Sequence, residues 1–353
     1  MATSAESASP LLSRIRQSTA QAYEAQNRVV IYTKALNDLV VDAKAFKRYT
    51  TPVPYPLSFG TPGDQINFHT GLAMLRFGGS YEPDLVARTR NTLEDTIRFG
   101  LIGAHISRSR FDAAFMRDAS PNDISSTFNI PMREAEQVSS IPGVMVERPG
   151  PLAPLVADLQ EALHAVGARL LSLGYQDAAQ FVLDALKAGG GSAERLVSAL
   201  VQALPSAFDD ACEAGGMSAA MHKNAQLLAL ELHHRMGKSL PLLQLSDVDK
   251  LTAVADADTI TGLIQLGILR PAGDAAAAPG SEPAVAAEAG LKAFTAADTN
   301  VLRVAACVAC HKLAERLGDG YAPISVALYI NHLSRSASYK DLPRFIPAKS
   351  RAL

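Results

Sequence analysis

Two carboxylates stand two positions apart at the end of an apolar run, Leu251-Thr-Ala-Val-Ala-Asp256-Ala-Asp258. A carboxylate in apolar surroundings is costly unless it is paired or used. Such a group is a candidate for chemistry. The pair also has a structural reading, because Asp258 ahead of Thr259-Ile-Thr-Gly-Leu263 can cap a helix by accepting its free amides. On the residues alone both readings stay open. A second constellation, Cys307-Val-Ala-Cys310-His311, spells the pattern that attaches c-type haem through two thioethers with the His on iron. It lies in an amphipathic stretch among Val304, Val308 and Leu313, and residues 1–27 hold no apolar run of export-signal length. The cysteines therefore read better as small residues of a helix core. His222, His233 and His234 gather with Glu231, yet without the i, i+4 ligand pair that a metal site on a helix uses. No Gly-x-Ser-x-Gly elbow suggests a hydrolase triad. The expectation is a site without metal or cofactor.

The elements that must position these groups are helical. Leu155, Leu159, Leu163, Val166 and Leu170 share one face at spacings of three and four, and Gly174 supplies a left-handed stop. Similar spacing predicts helices over 34–46, 83–101, 110–115, 193–204, 219–236, 248–255 and 258–266. Ser120-Pro-Asn-Asp123 reads as a cap, Thr295-Ala-Ala-Asp298 as a capping box before a helix ending near Gly318, and a last helix covers 323–334. Val29-Val-Ile31 is a short strand, and 49–63, with prolines at 52, 54, 56 and 62, is a loop. The fold class is mainly α, a multi-helical globular fold with a few short strands. Residues 1–27, rich in Ser and Ala, are expected to form a flexible leader. The expectation for 28–353 is a single helical domain of catalytic type, divisible into lobes of about 28–150 and 151–353. Residues 271–290 reduce to Ala, Gly, Pro, Glu and little else, which reads as an exposed low-complexity insertion.

Composition narrows the partners. With 33 basic against 35 acidic residues there is no electrostatic footprint for a phosphodiester backbone, so long nucleic acid is not expected. A few converging cations can still bind one phosphate. Three cysteines cannot frame a chain of 353 residues with disulfides, and no eighteen apolar residues run together, so no membrane is expected and a cytoplasmic location fits best. Oligomeric state is open.

The acidic segment resembles the motif of the queuosine salvage family, roughly Leu-Thr-x-Phe-Ala-Asp-Tyr-Arg-x-Pro-Gln-x-Leu-x-x-Leu-Gly. Leu251, Thr252, Ala255, Asp256, Leu263, Leu266 and Gly267 match in register. Met221-His-Lys223-Asn-Ala225-Gln226 is similar to the family's Phe-Tyr-Lys-Arg-Ala-Gln. Asp64-Gln-Ile-Asn67-Phe68 is similar to its Asp-x-Leu-Asn-Phe, and Val301-Leu-Arg303 to its Glu-Ile-Arg. The likeness covers about residue 28 to 345. The family's Tyr and Arg after the aspartate stand here as Ala257 and Asp258, its Lys-Arg pair as Lys223-Asn224, and its tryptophans are missing.

The resemblance implies an enzyme that hydrolyses the N-glycosidic bond of queuosine 5′-phosphate or a related nucleoside, releasing queuine for salvage into tRNA modification. It implies Asp256 as the catalytic group, Lys223 and Arg303 at phosphate or ribose oxygens, and Asn67, Phe68 and Tyr329 around the base. Asp258 would lie beside the substrate, where its charge would repel a phosphate and favour a neutral nucleoside or a different base. Phe68 and Tyr329 have core packing as their structural alternative, and Arg303 a pairing with Asp298. A relative that binds a ligand or partner without turnover is the competing function, and the haem protein the third.

Overall fold

The computed structural model describes residues 10–53, 55, 57–107, 111–137, 143, 145–273, 294–339 and 342–347. Helices carry most of this chain, and the strands form two-stranded pairs. The fold is mainly α.

Short polar caps begin many of the helices, satisfying amides that the first turn leaves free. In the first half the helices are α1 (Leu11–Ala25), α2 (Thr33–Asp38), α3 (Ala43–Thr50), α4 (Pro62–Met74), α5 (Glu82–Thr89), α6 (Leu93–Ile106), α7 (Ala113–Asp118) and α8 (Pro121–Phe128). Thr61 and Asp64 close a capping box on α4, and Ser120 and Asp123 another on α8. An exposed hairpin of β2 (Arg133–Gln137) and β3 (Met145–Pro149) follows. After it come α9 (Ala153–Ser172), α10 (Ala178–Gly189), α11 (Ala193–Ala203) and α12 (Pro205–Phe208). The aliphatic face of α9 is buried from Leu155 to Leu170, and Gly174 at φ +86 follows its end. Gly167 is required where α9 meets α7: a Cβ there would lie 2.4 Å from the Arg117 amide nitrogen.

The second half supplies the elements that matter for chemistry. A tight pair, β4 (Cys212–Ala214) and β5 (Met217–Ala219), leads into α13 (Lys223–Met236). Then come α14 (Ala257–Gln265), β6 (Leu269–Pro271), α15 (Thr299–Leu317) and α16 (Pro323–Ser334). β6 pairs antiparallel with β1 (Val29–Ile31), with Ile31 opposite Leu269, which joins the two halves. α15 is buried on every side from Leu302 to His311. Its run of Ala305, Ala306, Cys307, Ala309 and Cys310 is small enough for α1, α14 and α16 to pack against it.

Several expectations need correction. Residues 11–25 are no flexible leader but α1, which buries Leu12, Ile15, Thr19 and Ala22 at helical spacing and packs on α15. The stretches 34–46 and 83–101 each divide into two helices, and the expected helix over 219–236 begins only at Lys223. No helix covers 248–255: a 3-10 turn at Val248–Lys250 gives way to buried chain without helix or strand through Ala255. Most of the expected insertion, 274–290, lies outside the described residues. No helix among the described residues is long and apolar enough to cross a membrane.

Candidate active site

The start of α14 is where the acidic motif acquires its geometry. Asp256, not Asp258, is the N-cap: its backbone is extended and its Oδ1 accepts the Thr259 amide and the Thr259 hydroxyl, each at 2.9 Å. From α16, the Asn331 amide nitrogen donates to both carboxylate oxygens at 2.9 Å. Oδ2 thus keeps a single donor and spare lone pairs. Burial pushes this carboxyl up, but the Lys223 charge, the Thr259 amide, Arg335 and Asn331 outweigh it and hold Asp256 below the ordinary carboxylate range. Capping and facing the cavity described below are done by one side chain.

Lys223 opens α13, and its amide donates to Asp210 Oδ1 at 3.0 Å. The residue before it, His222, takes a left-handed φ of +47, a costly turn that redirects the chain from β5 into the helix. The Lys223 side chain is 2% exposed, and no hydrogen-bond acceptor engages its ammonium among the described residues. Burial lowers its pKa to about 8, with the Asp256 charge opposing that fall and Arg303 adding to it. Gln226, one turn on, fixes the register between the two motifs. It accepts the Thr252 amide at 2.8 Å and donates to the Thr252 hydroxyl and the Met221 carbonyl. His311 accepts the Ala253 amide at 3.2 Å. These bonds replace the helix expected at 248–255 and carry the chain extended towards Asp256.

Lys223, Asp256 and Asp258 line a cavity of about 1100 Å³. Its walls are apolar at Tyr49, Leu72, Leu227 and Phe345, and its polar groups include arginines, carboxylates, Lys223, Asn331 and His234. Both Arg335 and Arg344 pair with Asp258, and Arg335 also lies 3.6 Å from Glu94. The two arginines offset the charge at 258, which weakens the repulsion of phosphate expected from it. Farther along, Arg235 sits over the Tyr55 ring at 4.2 Å, and Glu231 pairs with Arg235.

Four of the expected site residues do not line this cavity. Arg303 is fully buried behind it, paired with Asp210 at 2.8 Å, and it does not pair with Asp298, which holds Arg28 instead. Asn67 accepts the Ala179 amide at 2.7 Å and so ties α4 to the first turn of α10. Phe68 packs in an aromatic group with Tyr55 and Phe59. Tyr329 lies one layer back, its ring 6.1 Å from that of Tyr49. Asn331, Arg335, Arg344 and Glu231 are the cavity residues that the motif comparison missed. A polar Asn331 inside the run Ile324-Ser-Val-Ala-Leu-Tyr-Ile-Asn331 was the one local signal.

The other constellations resolve structurally. Cys307 and Cys310 are 1% and 0% exposed, and burial pushes the Cys307 thiol up to about 12. His311 is driven down to about 4 by burial, and its Nε2 serves as an acceptor. These side chains are packed into the core and turned to internal bonds, which leaves them no face for a haem. His233 accepts the Leu245 amide, His222 lies 3.5 Å from Asp209, and His234 lines the cavity, so the three serve separate ends.

Comparison with known proteins bears on this same stretch. No curated protein matches the chain. A family model described as queuosine salvage protein matches residues 112–276, just under half of the chain, and takes in both Lys223 and Asp256. The match spans the two segments that meet in the cavity, and over those residues the chain is similar to the queuosine salvage family.

Proposed function

We propose that the chain hydrolyses the N-glycosidic bond of queuosine 5′-phosphate or a closely related nucleotide and releases the free base. The match to the queuosine salvage family model over 112–276 supports the coarser role, in queuosine salvage. The observation that carries the finer one is Asp256, an ionised carboxylate with a spare lone pair on Oδ2, lining the same cavity as the Lys223 ammonium, which no acceptor engages among the described residues.

Cleavage of a C–N glycosidic bond builds positive charge on the sugar ring as the electron pair leaves with the base. A fixed anion beside the anomeric carbon lowers that barrier, and it is strongest where water is excluded. The depressed pKa of Asp256 makes it a weak base at neutral pH, so its part is electrostatic stabilisation of the cation. Water then adds its oxygen to the anomeric carbon, and the departing base takes up a proton. Lys223 supplies a cation for the phosphate or ribose oxygens, with Arg335 and Arg344 nearby.

Purified protein incubated with queuosine 5′-phosphate is expected to release queuine, and Asp256→Asn, which keeps a capping side chain, to stop the release while the protein stays folded. Absence of release from this and related nucleosides overturns the enzyme reading. The Asp258 pairing with both Arg335 and Arg344 favours one alternative, a relative that holds the ligand without turnover. That protein would bind the nucleotide in the same assay and leave it intact.

A further inference from the structure

The cavity extends well past Asp256, and one helix forms its floor. Lys223, Leu227, Leu230, Glu231 and His234 all line it, and their spacing puts them on one face of α13. At a rise of about 1.5 Å per residue, Glu231 lies roughly 12 Å along the axis from Lys223. Two leucines separate the charged ends. This is the length scale of a nucleoside from its sugar to the outer edge of a two-ring base, with an apolar middle suited to a flat ring.

Glu231 is a carboxylate with 13% of its side chain exposed, held by three cationic or basic groups. Its Oε1 accepts Arg235 Nε at 3.0 Å and lies 3.4 Å from His69 Nδ1, while Arg76 stands 3.8 Å from Oε2. Burial pushes its pKa up, but His69, Arg76 and Arg235 prevail and hold it at about 2. Oε2 has no hydrogen-bond donor among the described residues. An anchored anion with an open lone pair at the end of an apolar slot is an acceptor waiting for N–H groups.

Resting on the reading of the cavity as a nucleotide site, we propose that Glu231 reads the outer edge of the base, accepting the adjacent ring N–H and exocyclic amino donors of a guanine-like edge. An edge that carries an acceptor beside its amino group, as in adenine, would set that acceptor against the carboxylate. A base with the ring N–H alone would satisfy one bond of the two. Glu231 thus determines which base enters, and Asp256 acts on whatever is seated.

Binding of free bases tests this without any hydrolysis. The probes are 7-deazaguanine and 7-deazahypoxanthine, which differ only in the 2-amino group, titrated against the wild-type protein by calorimetry. A preference of about tenfold or more for 7-deazaguanine is expected, the scale of one charge-assisted hydrogen bond, and Glu231→Gln should erase most of it. Equal binding of the two bases, binding of neither, or a preference that survives Glu231→Gln overturns the assignment. The wild-type comparison stands even if the variant does not fold. Nucleotide hydrolysis is scored separately: base preference without hydrolysis leaves Glu231 in its role and removes the proposed activity, and hydrolysis without base preference does the reverse.

Discussion

The Asn331 amide nitrogen lies 2.9 Å from each oxygen of Asp256, so a side chain of α16 fixes the orientation of a carboxylate that begins α14. Replacing Asn331 with Leu should remove that restraint while keeping bulk. A hydrogen bond to a charged group is worth about 1.5–3 kcal/mol, so base release should slow by about 10- to 100-fold. Asn331→Asp should be worse, because a second carboxylate at that distance disfavours the ionised form of Asp256. Steady-state rates for the two variants, with melting curves beside them, check both statements.

Lys223 gives the site a basic limit. Its ammonium loses its proton as pH rises through about 8, so affinity for a phosphate-bearing ligand should weaken above that pH and affinity for the matching neutral nucleoside should not. Asp256 lies below the ordinary carboxylate value, so the acid limb of activity belongs below about pH 4. Stability carries the opposite sign at the basic end. Between about 8 and the ordinary lysine value of 10.5, the unfolded chain holds a proton that the folded chain has released, so this group makes folding more favourable as pH rises through that window. Lys223→Met should abolish the basic limb of binding, as measured by titration from pH 6 to 10.

Arg303 should prove to be a residue of the fold before it is one of the ligand. It is fully buried and paired with Asp210, whose other oxygen accepts the Lys223 amide. Breaking a buried pair by removing one partner costs about 3–5 kcal/mol. Arg303→Met should show that loss in urea unfolding, and Asp210→Asn in the same chain should recover part of it by removing the stranded charge.

Gly262 tests the spacing of the two helices that meet at Asp256. A Cβ there would lie 2.8 Å from the Ile330 carbonyl oxygen and 2.9 Å from its side chain. Gly262→Ala should push α16 away from α14 at a cost of about 1–3 kcal/mol and displace Asn331, the neighbour of Ile330. A fall in base release larger than the fall in melting temperature alone predicts would mark that displacement.

The helices were legible where caps and periodicity agreed. The Thr295–Asp298 box before α15, the Ser120 cap of α8 and the bounds of α16 follow from local chemistry. The run Leu251–Ala255 misled because a short, mostly apolar segment has no period to distinguish helix from extended chain. Its backbone is decided by distant partners, Gln226 and His311. α1 was hidden by its composition: its buried stripe includes Thr19 and Ala22, which read as polar or neutral in sequence, and it is the packing of α1 on α15 and β5 that buries the stripe. At the site, Asp256 and Lys223 were carried by motif. Arg335, Arg344 and Glu231 were not, since their convergence is tertiary and nothing in their own neighbourhoods announces it.

Because Asp256 both ends one segment of backbone and starts the next, its carboxylate is only as steady as the first turn of α14. Transient opening of that turn would release the Thr259 amide and swing the anion away from the sugar in a single event. Deuterium uptake at Thr259 should then keep time with the fraction of molecules competent for chemistry, and a bound nucleotide should slow both together.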